Sequence, residues 1–109
     1  MSRADLSKAD LRVATLSEAD LSETDLDDAD LKYASLNDAN LSRTLLNRAY
    51  LSGAWLNRAN LNRAYLSGAY LNWAILSGAD LSGASIYQQK LDTAKSLENT
   101  IMPDGSKHP

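Results

Sequence analysis

The sequence predicts an all-β solenoid, and two observations predict it. From Leu6 to Ile86 every fifth residue is Leu or Ile, 17 positions without a break, and two residues before each stands Ala, except at Thr24 and Thr44. The second observation is that a period of five suits neither regular element. On an α-helix five residues advance about 500°, so successive leucines would spiral around every side. On a strand side chains alternate with a period of two, so leucine would change face at every repeat. The chain must therefore change direction once per pentapeptide. Short straight pieces joined by regular corners wind into a coil, with leucine and alanine inside and the other three positions outside.

In tandem, the pattern A(D/N)Lxx resembles the pentapeptide repeat family. It stands as Ala4-Asp5-Leu6, Ala9-Asp10-Leu11, Ala19-Asp20-Leu21, Ala29-Asp30-Leu31 and Ala79-Asp80-Leu81, and with asparagine as Ala39-Asn40-Leu41 and Ala59-Asn60-Leu61. The resemblance covers about residues 2–86 and implies a right-handed quadrilateral β-helix, four pentapeptides to a coil. Residues 20 apart would then stack, and the sequence agrees. Thr24 and Thr44, the two exceptions to alanine, are 20 apart, and stacked buried threonines are expected to hydrogen-bond each other. Tyr50 lies under Tyr70, Asn40 under Asn60, Asp28 under Arg48, Asp38 under Arg58 and Glu23 under Arg43, while Arg43 under Arg63 is a like-charge pair. About four coils of 20 residues at strand spacing make a tower about 20 Å tall.

Each element follows in order. The repeat begins by residue 4 with no preceding cap, so the coil of Leu6, Leu11 and Leu16 presents an open end. Corners fall on the two residues after each leucine, where Ser-Gly recurs at 52–53, 67–68, 77–78 and 82–83; glycine accepts the positive φ of a type II turn. After Ile86 the apolar spacing of Tyr87, Leu91, Ala94 and Leu97 is helical. Ser85 as N-cap with Gln88 at N3 reads as a capping box. The expected organisation is a β-helix over 1–86, a helical cap over 87–99 with its helix at about 86–96, and a tail over 100–109 that turns at Pro103-Asp104-Gly105 and then frays. A cap helix and an ending of this kind resemble cyanobacterial members of the family.

Composition narrows the function. There is no cysteine, and the one histidine, His108, is next to last, so no internal imidazole is present to act as a base or build a metal site. Catalysis has no support, and neither a cofactor nor a metal is expected. No apolar run approaches the roughly 20 residues that cross a bilayer, and the N-terminus lacks the apolar core of a secretory signal, so the expectation is a cytoplasmic protein without a membrane contact. Net charge is −3. Residues 1–40 carry ten acids and four bases, residues 41–80 one acid and four arginines, and residues 81–109 three of each. Such a chain lacks the continuous basic face of a nucleic-acid binder.

Two surfaces are candidate sites. The position before leucine, usually Asp or Asn in the family, is Leu45, Tyr50, Trp55, Tyr65, Tyr70 and Ile75 in the middle of the chain, and Trp73 adds another outward aromatic beside Gly53, which leaves a notch above Tyr33. This apolar belt fits a protein contact, with an unknown partner or with another copy; stabilising aromatic ladders are the plainer explanation. The other surface is acidic: Asp5 over Asp25 and Asp10 over Asp30. The resemblance implies a use for it, since some family members mimic DNA and bind DNA gyrase, conferring quinolone resistance. Those relatives are longer, often carry Phe in the repeat and have loops that this chain lacks. A scaffold or interaction module is the preferred reading, gyrase binding the alternative, and the regularity also fits an engineered sequence.

Overall fold

The computed structural model describes residues 3–109; Met1 and Ser2, at the head of the expected 1–86 segment, lie outside the described residues. Parallel bridges join residues 20 apart in four columns: Asp5–Asp25–Leu45–Tyr65–Ser85, Asp10–Asp30–Tyr50–Tyr70, Thr15–Ser35–Trp55–Ile75 and Asp20–Asn40–Asn60–Asp80. The chain is thus a four-sided coil of 20 residues per turn. Each bridge is one residue wide, because a pentapeptide keeps only the three residues centred before leucine straight and spends the other two on the corner.

Backbone hydrogen bonding explains the pattern residue by residue. Asp25 N–H donates to Ala4 O one coil below at 2.9 Å, and its carbonyl accepts from Leu6 N–H at 2.7 Å. Within each corner alanine N–H donates back to leucine O, as Ala29 to Leu26 at 3.1 Å. The second corner residue donates to the coil above, as Arg48 to Ser67 O at 2.8 Å. That second residue holds positive φ throughout, from 55° at Arg43 to 73° at Gly68, while the first does not; this is the type II turn. Four of five N–H groups are satisfied by backbone. The fifth, on the first corner residue, is caught by a side chain: Asp20 Oδ1 accepts from Ser22, Asp25 from Asp27, Asn40 from Ser42 and Asn60 from Asn62, all at 2.9–3.1 Å. The Asp or Asn before each leucine is therefore a turn-forming group of the Asx type. The Asp20–Asn40–Asn60–Asp80 column is a stack of such local turns.

Inside, Leu21 through Leu81 and the alanines between them are sealed from solvent, whereas Leu6, Leu11 and Leu16 of the first coil are only partly buried. The threonine pair differs from expectation. Thr44 Oγ1 donates to the Leu21 carbonyl at 2.8 Å, so its proton goes to backbone, not to Thr24. Thr100 does the same to Leu76 O at 2.6 Å. A β-branched hydroxyl at the alanine position sits beside the turn carbonyl below, which is the nearer acceptor. Of the expected charge columns, Arg48–Asp28 and Arg58–Asp38 form two-pronged pairs at 2.9–3.1 Å. Glu23 reaches down to Arg3 at 3.7 Å rather than up to Arg43.

The C-terminal segment corrects the expected helix of 86–96. The helix, α1, spans only Gln88–Leu91, its N-cap is Tyr87, and no side chain caps it. Ser85 cannot serve as N-cap because its backbone belongs to the ladder: its N–H donates to Ala64 O and its carbonyl accepts from Leu66 N–H. After α1 the coil resumes. Leu91 takes the next buried leucine position, and Ala94 N–H closes a corner onto Leu91 O at 3.1 Å. Lys95 N–H donates to Ala74 O while Ser96 O accepts from Leu76 N–H, so two residues stand opposite Ile75. This is a β-bulge, and it moves the register from 20 to 21, with Asp80 bridged to Ile101. The helical spacing of 87–97 was a coil repeat with one residue inserted. The tail does not fray: Ile101 pairs antiparallel with Lys107, and Asn99 and Thr100 exchange hydrogen bonds with His108.

Candidate aromatic contact surface

Leu45, Tyr50, Trp55, Tyr65, Tyr70 and Ile75 stand where Asp or Asn would close the corner, so the lost acceptor must be replaced. At three sites the structure shows the replacement. Asn47, which follows Leu45, donates its N–H to Asp27 Oδ1 one coil below at 2.8 Å. Ser67, after Tyr65, donates to Asn47 Oδ1 at 3.1 Å, and Asn57, after Trp55, to Asn37 Oδ1 at 2.9 Å. Moving the acceptor to the corner below frees the position before leucine for an apolar side chain.

The belt divides into two parts. Tyr50 and Tyr70 stack with centroids 5.1 Å apart and planes 8° from parallel. Lys32 Nζ lies 5.4 Å from the Tyr50 ring and Lys90 Nζ 4.5 Å from the Tyr70 ring, so a cation closes each end of the stack. Such contacts stabilise by about 0.5–1 kcal/mol each at exposed sites. This pair is a ladder that holds coils together. Trp55 and Ile75 are bridged on the next side. The corner between these sides carries three strongly exposed apolar residues: Val13 70 %, Tyr33 63 % and Trp73 72 %. Gly53 occupies the remaining place in that column, and the Tyr33 ring fills the notch above it; a Cβ there would lie 2.5 Å from the ring carbons. Leu45 and Tyr65 lie one corner away, separated from the tyrosine stack by the Arg48–Asp28 pair. Val13 escaped the sequence reading, although its place 20 residues before Tyr33 marks it as a member of the same column.

The acidic surface is short. Asp5–Asp25 and Asp10–Asp30 pair as expected, but Leu45 and Tyr50 stand above them, so each anionic column is two coils tall. Arg12 binds Asp10 through Nε and Nη2 at 2.9 and 2.8 Å and lies 3.7 Å from Asp30, with Lys32 3.4 Å from Asp30. The Arg12 hydrogen bonds hold the Asp10 carboxyl down at about 2. A hydroxyl from Ser7 lowers Asp5 in the same sense. Among the described residues no three acids or histidines converge on a metal position, and no helix is long and apolar enough to cross a membrane. An open cleft of about 260 Å³ beside α1 is lined by Ile86, Gln88, Met102, Pro103, Asp104 and Ser106. Its one carboxylate, Asp104, is hydrogen-bonded by Ser106.

A four-sided coil with Leu and Ala inside, type II corners and Asx-closed turns defines a pentapeptide-type β-solenoid. The family profile described as Pentapeptide repeats matches residues 14–48 and 44–83, with 8 copies. The chain belongs to the pentapeptide repeat family, whose members form right-handed quadrilateral β-helices. It is similar to HetL, a pentapeptide repeat protein involved in heterocyst differentiation regulation from the cyanobacterium Nostoc sp. strain PCC 7120, at 42 % identity and TM-score 0.76 over 98 % of this chain and 48 % of HetL. A pentapeptide repeat protein of the Arabidopsis thaliana thylakoid lumen matches 91 % of this chain and 61 % of its own at 27 % identity and TM-score 0.70. Another from Nostoc PCC 7120 matches 75 % of this chain and 64 % of its own at 40 % identity and TM-score 0.52. The chain thus spans from about half to under two thirds of these relatives' lengths. No curated protein matches it in sequence.

Proposed function

We propose that this chain is a non-enzymatic scaffold that binds another protein through its aromatic surface, centred on Trp73 with Tyr33, Trp55 and the Tyr50–Tyr70 stack. One observation carries the reading: at Leu45, Trp55 and Tyr65 the turn acceptor has been moved to the corner below, so the fold keeps its hydrogen bonds while large apolar groups face solvent. An aromatic ladder alone would account for Tyr50 and Tyr70, but not for Trp73, which is 72 % exposed on a corner. Exposed tryptophan and tyrosine are the side chains that most often anchor protein interfaces. Similarity to HetL supports a regulatory setting for such contacts. DNA mimicry directed at gyrase would call for a long anionic surface, and the acidic columns stop at the second coil.

The test places a photo-crosslinking phenylalanine analogue at Trp73 and at Asn40, on the polar side, in the native host. A discrete crosslinked protein at position 73 and none at 40, lost when Tyr50 and Tyr70 are both changed to Asp in a chain that still folds, is the expected result. Equal crosslinking at both positions, or none at 73, refutes the assignment.

A further inference from the structure

The side that carries Thr15, Ser35, Trp55 and Ile75 changes character at its middle. In the two lower coils its central residues are small and hydroxylic, and in the two upper coils they are large and apolar. The corner at one edge carries Val13 in the first coil and Trp73 in the fourth, and between them the Tyr33 ring lies up over Gly53. At the other edge Glu18 and Asp38 stand in the lower coils, Arg58 and Gly78 in the upper ones. Glu18 is exposed and forms no ion pair among the described residues. Just inside that edge Asn57 Nδ2 donates to Asn37 Oδ1 at 2.9 Å. The Asn37 amide N–H groups and the Asn57 amide oxygen are left without a protein partner among the described residues.

We propose that this side binds a second copy of the chain, face to face and antiparallel. The two-fold axis lies in the contact plane, perpendicular to the tower and level with the gap between the second and third coils. It exchanges coil one with coil four and coil two with coil three, and keeps each corner against the same corner of the other copy. Trp55 then meets Ser35 of the other copy, and Ile75 meets Thr15, so each large side chain faces a small one. Trp73 meets Val13, and the two Tyr33 rings meet at the axis. Asn37 offers its free amide N–H to the free oxygen of Asn57. At the rim Asp38 faces Arg58, and Glu18 faces Gly78, over which the Arg58 stem lies. No two like charges oppose each other. An axis along the tower would instead set Tyr33 against Asp38 and Gly53 against Arg58, so the pattern selects the antiparallel arrangement. Helix α1, whose Lys90 lies over Tyr70, is on the adjoining side and leaves this one clear. A contact four coils high is small for a stable interface, so the dimer is weak and reversible. The proposal goes beyond the partner reading above and rests on it only for Trp55 and Trp73 as contact residues; the Tyr50–Tyr70 stack stays free for another protein.

Sedimentation equilibrium of the full chain, carried to millimolar concentration, tests it, and the expected result is a reversible dimer. Trp55→Asp and Ile75→Asp place at those positions the residue that closes the turn elsewhere in the tower, so the coil is kept while the centre of the contact is lost. Each should raise the dissociation constant about tenfold or more. Asn60→Asp, which adds the same charge on the polar side, should leave it unchanged. Circular dichroism confirms that the variants keep the coil. The chain has no cysteine, so single ones report the orientation. Oxidising an equal mixture of Ser17→Cys and Ser77→Cys chains should give the crossed disulfide in excess over products that join two copies of the same variant. A monomer at every concentration, a dimer indifferent to both aspartates, or no excess of the crossed product each overturns the proposal. A monomer whose position 73 still crosslinks to a different protein in the host loses the dimer and keeps the partner reading. A dimer with no such crosslink keeps the dimer and loses that reading, so the two failures are told apart.

Discussion

Replacing Gly53 with alanine probes how the aromatic corner is built. The added Cβ would lie 2.5 Å from both Cδ1 and Cε1 of Tyr33, inside any real contact distance. At Gly68, the equivalent place on another corner, it would meet only Arg48 Cγ at 3.2 Å. Both glycines hold left-handed φ, 69° and 73°, so both substitutions carry a backbone cost of about 1 kcal/mol. Only Gly53→Ala must also move a ring. Tyr33 is 63 % exposed, so the ring swings outward and the backbone stays in place. The loss is the ring's packing on the coil, about 0.5–1 kcal/mol. Gly53→Ala should therefore lower stability by about 2 kcal/mol and Gly68→Ala by about 1 kcal/mol. With Tyr33→Ala already present, Gly53→Ala should fall back to about 1 kcal/mol. Urea unfolding followed by the fluorescence of Trp55 and Trp73 measures all four values. If the cost of Gly53→Ala is the same with and without Tyr33, the ring does not occupy the notch and the reasoning fails.

Three further predictions follow from the same geometry. Val13 is a β-branched residue at φ 61°, exposed, with only its backbone engaged in the ladder, so Val13→Gly should raise stability by about 1 kcal/mol in urea unfolding. Asp27→Ala should cost about 1–2 kcal/mol because the half-buried Asn47 N–H loses its acceptor, and Leu45→Asp should recover most of that by restoring the local turn. Asp10, Asp28 and Asp38 are held below the ordinary carboxylate range, chiefly by hydrogen bonds from Arg12, Arg48 and Arg58. Their contribution is complete above the unfolded value near 4 and is lost as pH falls through the lower folded values, about 2 for Asp10. Thermal melts should be flat in this respect above about pH 5 and fall between about pH 4 and 2, with the fall reduced by Arg12→Gln.

Much of this molecule was legible in its sequence because the repeat makes every residue a comparison with those 20 away. The Thr24–Thr44 spacing identified the coil length, and Asp28 under Arg48 and Asp38 under Arg58 identified real pairs. Glu23 obeyed the same arithmetic yet chose Arg3, because both corners are exposed and a long side chain can lean either way. The end of the coil was misread for a definite reason. Residues 91–102 keep the leucine and alanine positions, but the extra residue at Lys95-Ser96 breaks the count of five, and the remainder then imitates a helical spacing. The apolar surface was visible as Tyr, Trp and Ile in place of Asp and as the Tyr33, Gly53 and Trp73 column, whereas Val13 was not. Gly53 leaves the space that the Tyr33 ring fills beneath Trp73, and Val13 extends the same exposed column one coil down.

The bulge at Lys95-Ser96 has a meaning for how the tower grows. A parallel ladder in register, each rung a template for the next, shares its backbone chemistry with an amyloid fibril, which lengthens because its last layer always fits another. Here a rung that counts 21 instead of 20 no longer offers the lattice that the others share, and the following segment turns back to pair antiparallel with it at Ile101 and Lys107. A repeat arriving from another chain at that end would meet strands displaced by one residue and pointing the wrong way. A single inserted amino acid thus works as a terminator, giving finite length to an architecture whose own logic sets no limit.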